Sequence, residues 1–141
     1  MKRQLFTAIL LLFSTAVSAQ SGSTAQRMQQ AGLVNVTELD STIRVDLMYA
    51  RADNFTGKIL YEELTEAYLQ PAAARALVEA QRLLRTIHPD YRLLVCDATR
   101  PMSVQQTMWE TVVGTPSENY VSNPANGGGT HNYGFAVDVT I

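Results

Sequence analysis

Several residue types are scarce in this sequence of 141 residues, and each scarcity narrows what the protein can be. Cys96 is the single cysteine, so no disulfide bond can form within the chain. It stands in an apolar run, which predicts a buried, unreactive thiol. The formal net charge is −2 and no basic block is present, which argues against a nucleic-acid partner. The chain has no internal repeat and is long enough for one domain but not for two.

Residues 1–19 have the pattern of a secretory signal. Lys2 and Arg3 precede an apolar run, and small residues stand at the expected cleavage position before and at Ala19. The apolar run is too short to cross a bilayer comfortably, so we predict a cleaved signal rather than a stable membrane anchor. We therefore expect an exported protein of the periplasm or cell envelope, with a flexible lead-in over residues 20–32.

Residues 33–141 are predicted to form one domain. Apolar residues at helical spacing predict a helix over residues 71–87, which begins at a proline and ends before Pro89. A second helix is predicted over residues 103–113, with Val104, Met108 and Val112 facing inward. The residues expected on the buried face of the first helix are Ala73, Leu77, Ala80, Leu84 and Ile87.

Short strands are predicted between these helices and around them. Residues 34–39 and 43–47 alternate apolar and polar side chains, which predicts a hairpin or two separate strands. Residues 91–96 form an apolar run suited to a buried strand, and a further strand pattern starts at Gly134. The polar loop over residues 114–130 is long enough to be functional or mobile. Because strands and helices do not alternate regularly, we predict an α+β fold.

The sequence contains two histidines, and one of them stands in a pattern suited to metal chemistry. Imidazole and carboxylate are both good zinc ligands, which makes His131 and Asp138 candidates. Asp138 lies on the predicted strand, and Gly134 lets the chain turn so that His131 returns to the same face. The alternative is that His131 only packs and Asp138 only caps a turn. His88 ends the long helix, where it is expected to meet the exposed carbonyls rather than a metal.

Arg100 is the next candidate, within the segment Asp-Ala-Thr-Arg-Pro at residues 97–101. It follows a predicted strand and turn, and its guanidinium could bind a carboxylate or stabilise an oxyanion. The alternative is an ordinary surface arginine, or an arginine in an ion pair with Asp97.

Three blocks, taken in order, resemble the D-alanyl-D-alanine dipeptidase family, including its vancomycin-resistance type. The first is Asp-Asn-Phe-Thr-Gly-Lys at residues 53–58, close to the Asn-Phe-Thr-Gly segment of that family. The second is the segment at residues 97–101, and the third is His-x-x-Gly-x-Ala-x-Asp at residues 131–138. The third block is shared with a wider group of zinc D,D-peptidases, and the first narrows the choice to the dipeptidases.

The resemblance implies a fold like that of the zinc D,D-peptidases, a small mixed sheet with flanking helices. It also implies Zn²⁺ held by His131, Asp138 and a later histidine, with a glutamate shortly before that histidine as the general base. Arg100 matches the arginine that stabilises the transition state, and we predict that Thr130 and Tyr133 bind substrate. The expected activity is zinc-dependent hydrolysis of D-alanyl-D-alanine to D-alanine. The alternatives are a D,D-carboxypeptidase on peptidoglycan peptides and an inactive fragment that binds wall peptides.

The sequence departs from the family pattern in three respects. Thr99 stands where the family often has tyrosine, and Thr130 stands where serine is common. No Glu-x-x-His follows His131, and the apolar strand pattern runs up to Ile141. We therefore expect a domain that is incomplete at its C-terminus, with little or no activity of these residues alone.

Overall fold

The computed structural model describes residues 22–141, so the predicted signal peptide lies outside the described residues. The described helices are α1 (Thr24–Gln30), α2 (Val36–Leu39), α3 (Pro71–Ile87) and α4 (Met102–Val112). The described strands are β1 (Val34–Asn35), β2 (Arg44–Val45), β3 (Tyr68–Leu69), β4 (Leu94–Asp97) and β5 (Asp138–Thr140). Short 3-10 turns lie at Met48–Ala50, Glu118–Tyr120, Pro124–Asn126 and Thr130–Tyr133. This mixture confirms the α+β class.

The larger sheet has the strand order β2-β4-β5. Its central strand β4 pairs parallel with β2 and antiparallel with β5, which is the small mixed sheet that the resemblance implied. Strands β1 and β3 form a separate antiparallel pair. Cys96 lies in β4 and is half-buried, so the burial predicted for its thiol is only partial. The central position of β4 matters because the segment at residues 97–101 follows directly from its end.

Of the two arrangements predicted for residues 34–39 and 43–47, a hairpin or two separate strands, the hairpin does not form. Strand β1 pairs with β3 and strand β2 pairs with β4, so the two segments have different partners. Between them, residues predicted as strand form helix α2, because the Asn35 side chain accepts a hydrogen bond from Thr37 N at 3.1 Å and caps the helix. An alternating pattern does not reveal such local capping, which competes with strand pairing.

Helix α3 has the predicted bounds but a different buried face. The buried residues are Ala74, Leu77 and Gln81. Ala80 is exposed and Ile87 is 71% exposed, so the predicted face is wrong at both positions. The cause is Gln81, whose Oε1 accepts a hydrogen bond from Leu93 N at 2.7 Å and turns this polar side chain inward. Helix α3 is thereby bonded to the backbone just before β4.

Helices α4 and α1 both contribute buried residues to the core. Helix α4 confirms its prediction, since Val104, Met108 and Val112 are all buried. Within the predicted lead-in, α1 is a helix whose Met28 is 6% exposed and belongs to the core. So short a helix is not stable alone, and the burial of Met28 holds it against the domain.

No helix within residues 22–141 is both long and apolar enough to cross a bilayer.

Candidate metal centre

A sharp turn at Gly134 brings the predicted ligands together. Gly134 has φ +76°, a conformation that side chains other than glycine rarely adopt. A Cβ atom at this position would lie 2.8 Å from Leu33 Cδ2 and 3.0 Å from Thr99 Oγ1. Glycine is therefore required both by the backbone conformation and by the close packing. The chain turns here as the sequence predicted, and the His131 turn (Thr130–Tyr133) comes back towards β5.

The His131 turn is bonded to the segment that follows β4. Arg100 N donates to His131 O at 3.0 Å, and Asn132 Nδ2 donates to Arg100 O at 3.0 Å. These two bonds fix the candidate ligand and the candidate arginine in one rigid arrangement, although they are far apart in sequence.

The ring of His131 is oriented by the backbone. Its Nδ1 lies 2.9 Å from the carbonyl oxygen of Ala98. A carbonyl only accepts hydrogen bonds, so Nδ1 carries the proton and Nε2 keeps its lone pair. That Nε2 lies 3.5 Å from Asp138 Oδ1. In a tetrahedral zinc site with bonds of about 2.0–2.2 Å, neighbouring ligand atoms lie about 3.3–3.6 Å apart. The pair therefore fits the requirements of two zinc ligands.

Asp97 lies beside this pair but serves another purpose. A register shift between Val95 and Asp97 places Asp97 opposite Asp138 in the sheet, and its ligand atoms lie within 4.8 Å of those of His131 and Asp138. Yet the nitrogen that faces it is His131 Nδ1, at 3.6 Å, which bears a proton. Both Asp97 oxygens are also occupied by other donors. Asp97 is therefore assigned as an anchor for its neighbours rather than as a metal ligand.

The donors to Asp97 are Tyr61 and Arg100. Tyr61 OH donates to Asp97 Oδ1 at 2.6 Å, and Arg100 donates to Oδ2 from Nη2 at 2.5 Å and from Nε at 3.2 Å. Burial and the nearby Asp97 carboxylate raise the pKa of Tyr61 well above its ordinary value. The phenol therefore stays protonated and remains a hydrogen-bond donor over the whole physiological range.

Arg100 is held on three sides. Besides Asp97, its Nη1 donates to Gln105 Oε1 at 2.9 Å, and its guanidinium carbon lies 5.3 Å from the centre of the Tyr49 ring. Burial by itself lowers the pKa of Arg100, but the Asp97 carboxylate outweighs it and the pKa is raised. Of the five guanidinium N–H groups, three are bonded to Asp97 and Gln105, and the other two have no such bond within residues 22–141.

Arg100, His131 and Asp138 all line one cavity of about 310 Å³. The remaining lining residues are Tyr49, Phe55, Gln105, Met108, Tyr120, Val121, Ser122, Gly129 and Thr130. Thr130, predicted to bind substrate, is thus at the cavity. Tyr133 is not among the lining residues, and its hydroxyl donates to Gly127 O at 2.8 Å. Asp138 is the one carboxylate in this lining.

The block at residues 53–58 forms a loop beside the same cavity. Asn54 organises it, since its Oδ1 accepts from Thr56 N at 2.9 Å and its Nδ2 donates to the carbonyls of Arg51 and Lys58. The loop places Phe55 edge-on to Tyr49, with ring centres 6.3 Å apart. This block therefore contributes an aromatic wall next to Arg100.

Sequence reasoning did not single out Tyr49, Tyr61 or Gln105 as part of this site. The one available signal was Gln105, a polar residue between Val104 and Met108 on the inner face of α4. The two tyrosines come from a segment without a strong periodic pattern. Their place became visible only once the chain was folded.

A histidine and a carboxylate with ligand atoms 3.5 Å apart, beside a buried arginine in a small α+β domain, suit a site of the metallopeptidase class. The chain belongs to the D-Ala-D-Ala dipeptidase family, whose sequence profile matches residues 29–140. The family predicted from the three sequence blocks is thereby confirmed.

One relative gives the extent of the similarity. A D-alanyl-D-alanine dipeptidase of Escherichia coli (strain K12) is 29% identical over 109 residues. The matched region is 77% of this chain and 53% of that protein. The chain thus spans about half the length of the curated relative it matches.

Proposed function

We propose that this protein hydrolyses D-alanyl-D-alanine with a zinc ion for which His131 and Asp138 are two of the ligands. The observation that carries the proposal is the separation of 3.5 Å between His131 Nε2 and Asp138 Oδ1 in a cavity that also contains Arg100. Membership of the D-Ala-D-Ala dipeptidase family and the name of the Escherichia coli relative support the choice of substrate. A cavity of about 310 Å³ is also at the small end for a ligand site, which suits a dipeptide with methyl side chains.

The roles of the side chains follow from their contacts. Zinc, when bound here, supplies Lewis acidity to the scissile carbonyl and activates water. The Ala98 carbonyl keeps His131 in the tautomer that presents Nε2. The two free N–H groups of Arg100 donate to the carbonyl oxygen of the substrate as it gains negative charge. Asp97 holds the guanidinium in place and offsets the cost of burying its charge.

We further propose that the protein acts in the periplasm or cell envelope. The support is the signal-like pattern of residues 1–19 together with a substrate that belongs to cell-wall chemistry. Mass spectrometry of the N-terminus after expression in a Gram-negative host tests this. A mature chain that begins at Gln20 is expected, and an intact Met1 on cytoplasmic protein would contradict it.

A second candidate function is the binding of wall peptides without cleavage. Hydrolysis needs a group that takes a proton from water, and Asp138 is the one carboxylate in the cavity lining. Asp97 is occupied by Tyr61 and Arg100, so it is not free to act as this base. The glutamate that the family resemblance implies is not among the described residues that line the cavity. On this proposal, residues 22–141 by themselves bind D-alanyl-D-alanine and release D-alanine slowly or not at all.

The zinc proposal is tested by metal analysis of the purified chain. With added Zn²⁺, about one ion per chain is expected, bound weakly because His131 and Asp138 supply two of the usual three protein ligands, and this binding should be lost in His131→Ala. His88→Ala is the matched control, because His88 stacks on Tyr91 at the far end of α3 and should leave zinc binding unchanged. Zinc retained by His131→Ala at full stoichiometry would show that the ligands are wrongly assigned.

The two candidate functions are separated by following the zinc-loaded chain with D-alanyl-D-alanine. Release of D-alanine supports the dipeptidase, and calorimetric binding without release supports the wall-peptide binder. Faster cleavage of an N-acetylated tripeptide that ends in D-alanyl-D-alanine would favour a D,D-carboxypeptidase instead. Neither binding nor cleavage of these peptides would contradict both candidates.

A further inference from the structure

Gln105 is a buried polar residue on a helix face that otherwise packs apolar side chains. It is 1% exposed, and the other inward residues of α4 are Val104, Met108 and Val112. Burying an amide costs free energy unless its donor and acceptor are bonded. A glutamine at this position therefore depends on the particular partners that it meets.

Its amide joins two different parts of the cavity wall. Oε1 accepts a hydrogen bond from Arg100 Nη1 at 2.9 Å, and Nε2 donates to the carbonyl oxygen of Ser122 at 2.7 Å. Ser122 belongs to residues 114–129, here called the cavity loop, which also brings Tyr120 and Val121 to the cavity. One planar group thus spans the guanidinium and the backbone of the loop.

The end of the cavity loop is bonded to the metal-ligand side of the site. Gly129 N donates to Asn132 Oδ1 at 2.8 Å, and Tyr133 OH donates to Gly127 O at 2.8 Å. Both partners, Asn132 and Tyr133, directly follow His131 in the His131 turn. Gln105 holds the middle of the loop, and it does so through the same side chain that contacts Arg100.

We propose that Gln105 is a positioning residue that couples the cavity loop to Arg100. Any shift of the loop backbone at Ser122 moves the acceptor of the Gln105 amide, and the amide moves the guanidinium. The direction of the two free N–H groups of Arg100 therefore depends on where the loop lies. The significance for hydrolysis rests on the proposed function, in which Arg100 stabilises charge on the substrate.

Two variants separate the two hydrogen bonds of the Gln105 amide, and a third is their control. Gln105→Met keeps a similar volume and removes both hydrogen bonds. Gln105→Glu keeps an acceptor for Arg100 but removes the N–H group that donates to Ser122. Gln106→Met is the matched control, because Gln106 is the exposed neighbour whose amide bonds only Glu110, at 2.8 Å.

NMR of the ¹⁵N-labelled full chain measures the coupling between the cavity loop and Arg100. The measurement does not require the protein to hydrolyse a substrate. In Gln105→Met, the Arg100 Nε–H signal and the backbone amides of Val121 to Asn123 should all shift or broaden. In Gln105→Glu, the loop amides should change while the Arg100 signal stays close to that of the unsubstituted chain. Gln106→Met should change neither. Unchanged Arg100 and loop signals in Gln105→Met would overturn the proposal, as would a Glu variant that disturbs Arg100 as much as Met does.

Metal binding and kinetics then distinguish positioning from a general structural role. Zinc affinity of Gln105→Met should fall by less than about tenfold, because Gln105 contacts neither His131 nor Asp138. Cleavage of D-alanyl-D-alanine should lose up to about a hundredfold in kcat with a similar KM, and Gln105→Glu should restore part of the loss. A loss confined to KM would contradict positioning. If the unsubstituted chain releases no D-alanine, the proposed hydrolysis fails, and the NMR comparison still decides the coupling.

Discussion

The Asp97 carboxylate, fully buried at the end of β4, shows how single residues build this site. It accepts three hydrogen bonds, from Tyr61 OH and from Nε and Nη2 of Arg100. A buried charge is costly unless it is paired and fully bonded. Removing any one donor to Asp97 therefore destabilises the folded state. The sequence suggested an ion pair between Arg100 and Asp97 as an alternative to a functional arginine. The two interpretations are compatible, because the ion pair with Asp97 fixes the orientation of the Arg100 guanidinium.

Tyr61→Phe is expected to destabilise the fold by about 1–3 kcal/mol at pH 7, because it leaves Asp97 Oδ1 without its phenol donor. The folded-state pKa of Tyr61 is raised above the ordinary value of 10.0. The stability from its protonated form is therefore complete below about pH 10 and falls as the pH rises further. Urea unfolding from pH 7 to 11 should show that the difference in unfolding free energy between the unsubstituted protein and Tyr61→Phe becomes smaller above pH 10. Tyr120→Phe, at a side chain that is 88% exposed, is the control, and a constant gap would refute the assignment.

Gly134→Ala is expected to cost about 1–3 kcal/mol of unfolding free energy and to weaken zinc binding. The added methyl group would meet Leu33 and Thr99 in addition to the strained φ. Gly114→Ala is the matched control, since Gly114 has φ +75° but open space around the added Cβ. Thermal unfolding and zinc titration of both variants isolate the crowding at the His131 turn. Equal losses in the two variants would mean that the packing at Gly134 contributes nothing.

At the scale of elements, the loop of residues 53–58 depends on one side chain. Asn54 bonds Thr56 and the carbonyls of Arg51 and Lys58, so a single amide closes the loop that presents Phe55. Similarly, Gln81 bonds α3 to the backbone at Leu93. In both elements a polar side chain, rather than an apolar stripe, decides how the segment is held.

Asn54→Ala should therefore free this loop while leaving the sheet intact. Hydrogen–deuterium exchange over residues 51–58 is expected to speed up, with no change in α4, because the lost bonds are local to the loop. Binding of D-alanyl-D-alanine should weaken as Phe55 loses its place beside Tyr49. Asn126→Ala, at an exposed position in another turn, serves as the control. Unchanged exchange in the loop would show that Asn54 does not organise it.

At the scale of the whole molecule, the site joins segments from across the described chain. Tyr49, Arg100 and His131 come from separate segments of the chain, and the cavity exists only when the sheet, α4 and the cavity loop are in place. A ligand held by such a site binds the folded state and not the unfolded state. Metal binding and folding stability are therefore linked.

Zinc is accordingly expected to raise the Tm of the chain. At a free zinc concentration of 100 times the Kd, the gain in unfolding free energy is about 2.7 kcal/mol. The shift should disappear in Asp138→Asn and in His131→Ala, and a chelator should reverse it in the unsubstituted protein. Differential scanning calorimetry with and without Zn²⁺ measures it. An equal shift in Asp138→Asn would point to zinc bound elsewhere.

The sequence by itself determined those features that depend on neighbouring residues. Helical periodicity and flanking prolines located α3 and α4, and the three blocks at residues 53–58, 97–101 and 131–138 together pointed to the family. The proposed zinc ligands His131 and Asp138, and the proposed transition-state stabiliser Arg100, were recognised in the same way. In each case the information lies within short stretches of chain, as periodicity for the helices and as resemblance to a known family for the ligands and Arg100.

The tertiary structure alone decided which distant groups meet. Strand β1 pairs with β3 rather than with β2, and Gln81 faces inward although it was not among the residues predicted for the buried face. Asp97, Tyr61 and Gln105 acquire their roles through hydrogen bonds to residues remote in sequence. A periodic pattern indicates which face of an element is apolar, but not which partner satisfies a buried polar atom. That choice depends on burial and on bond geometry, which arise only when the chain is folded.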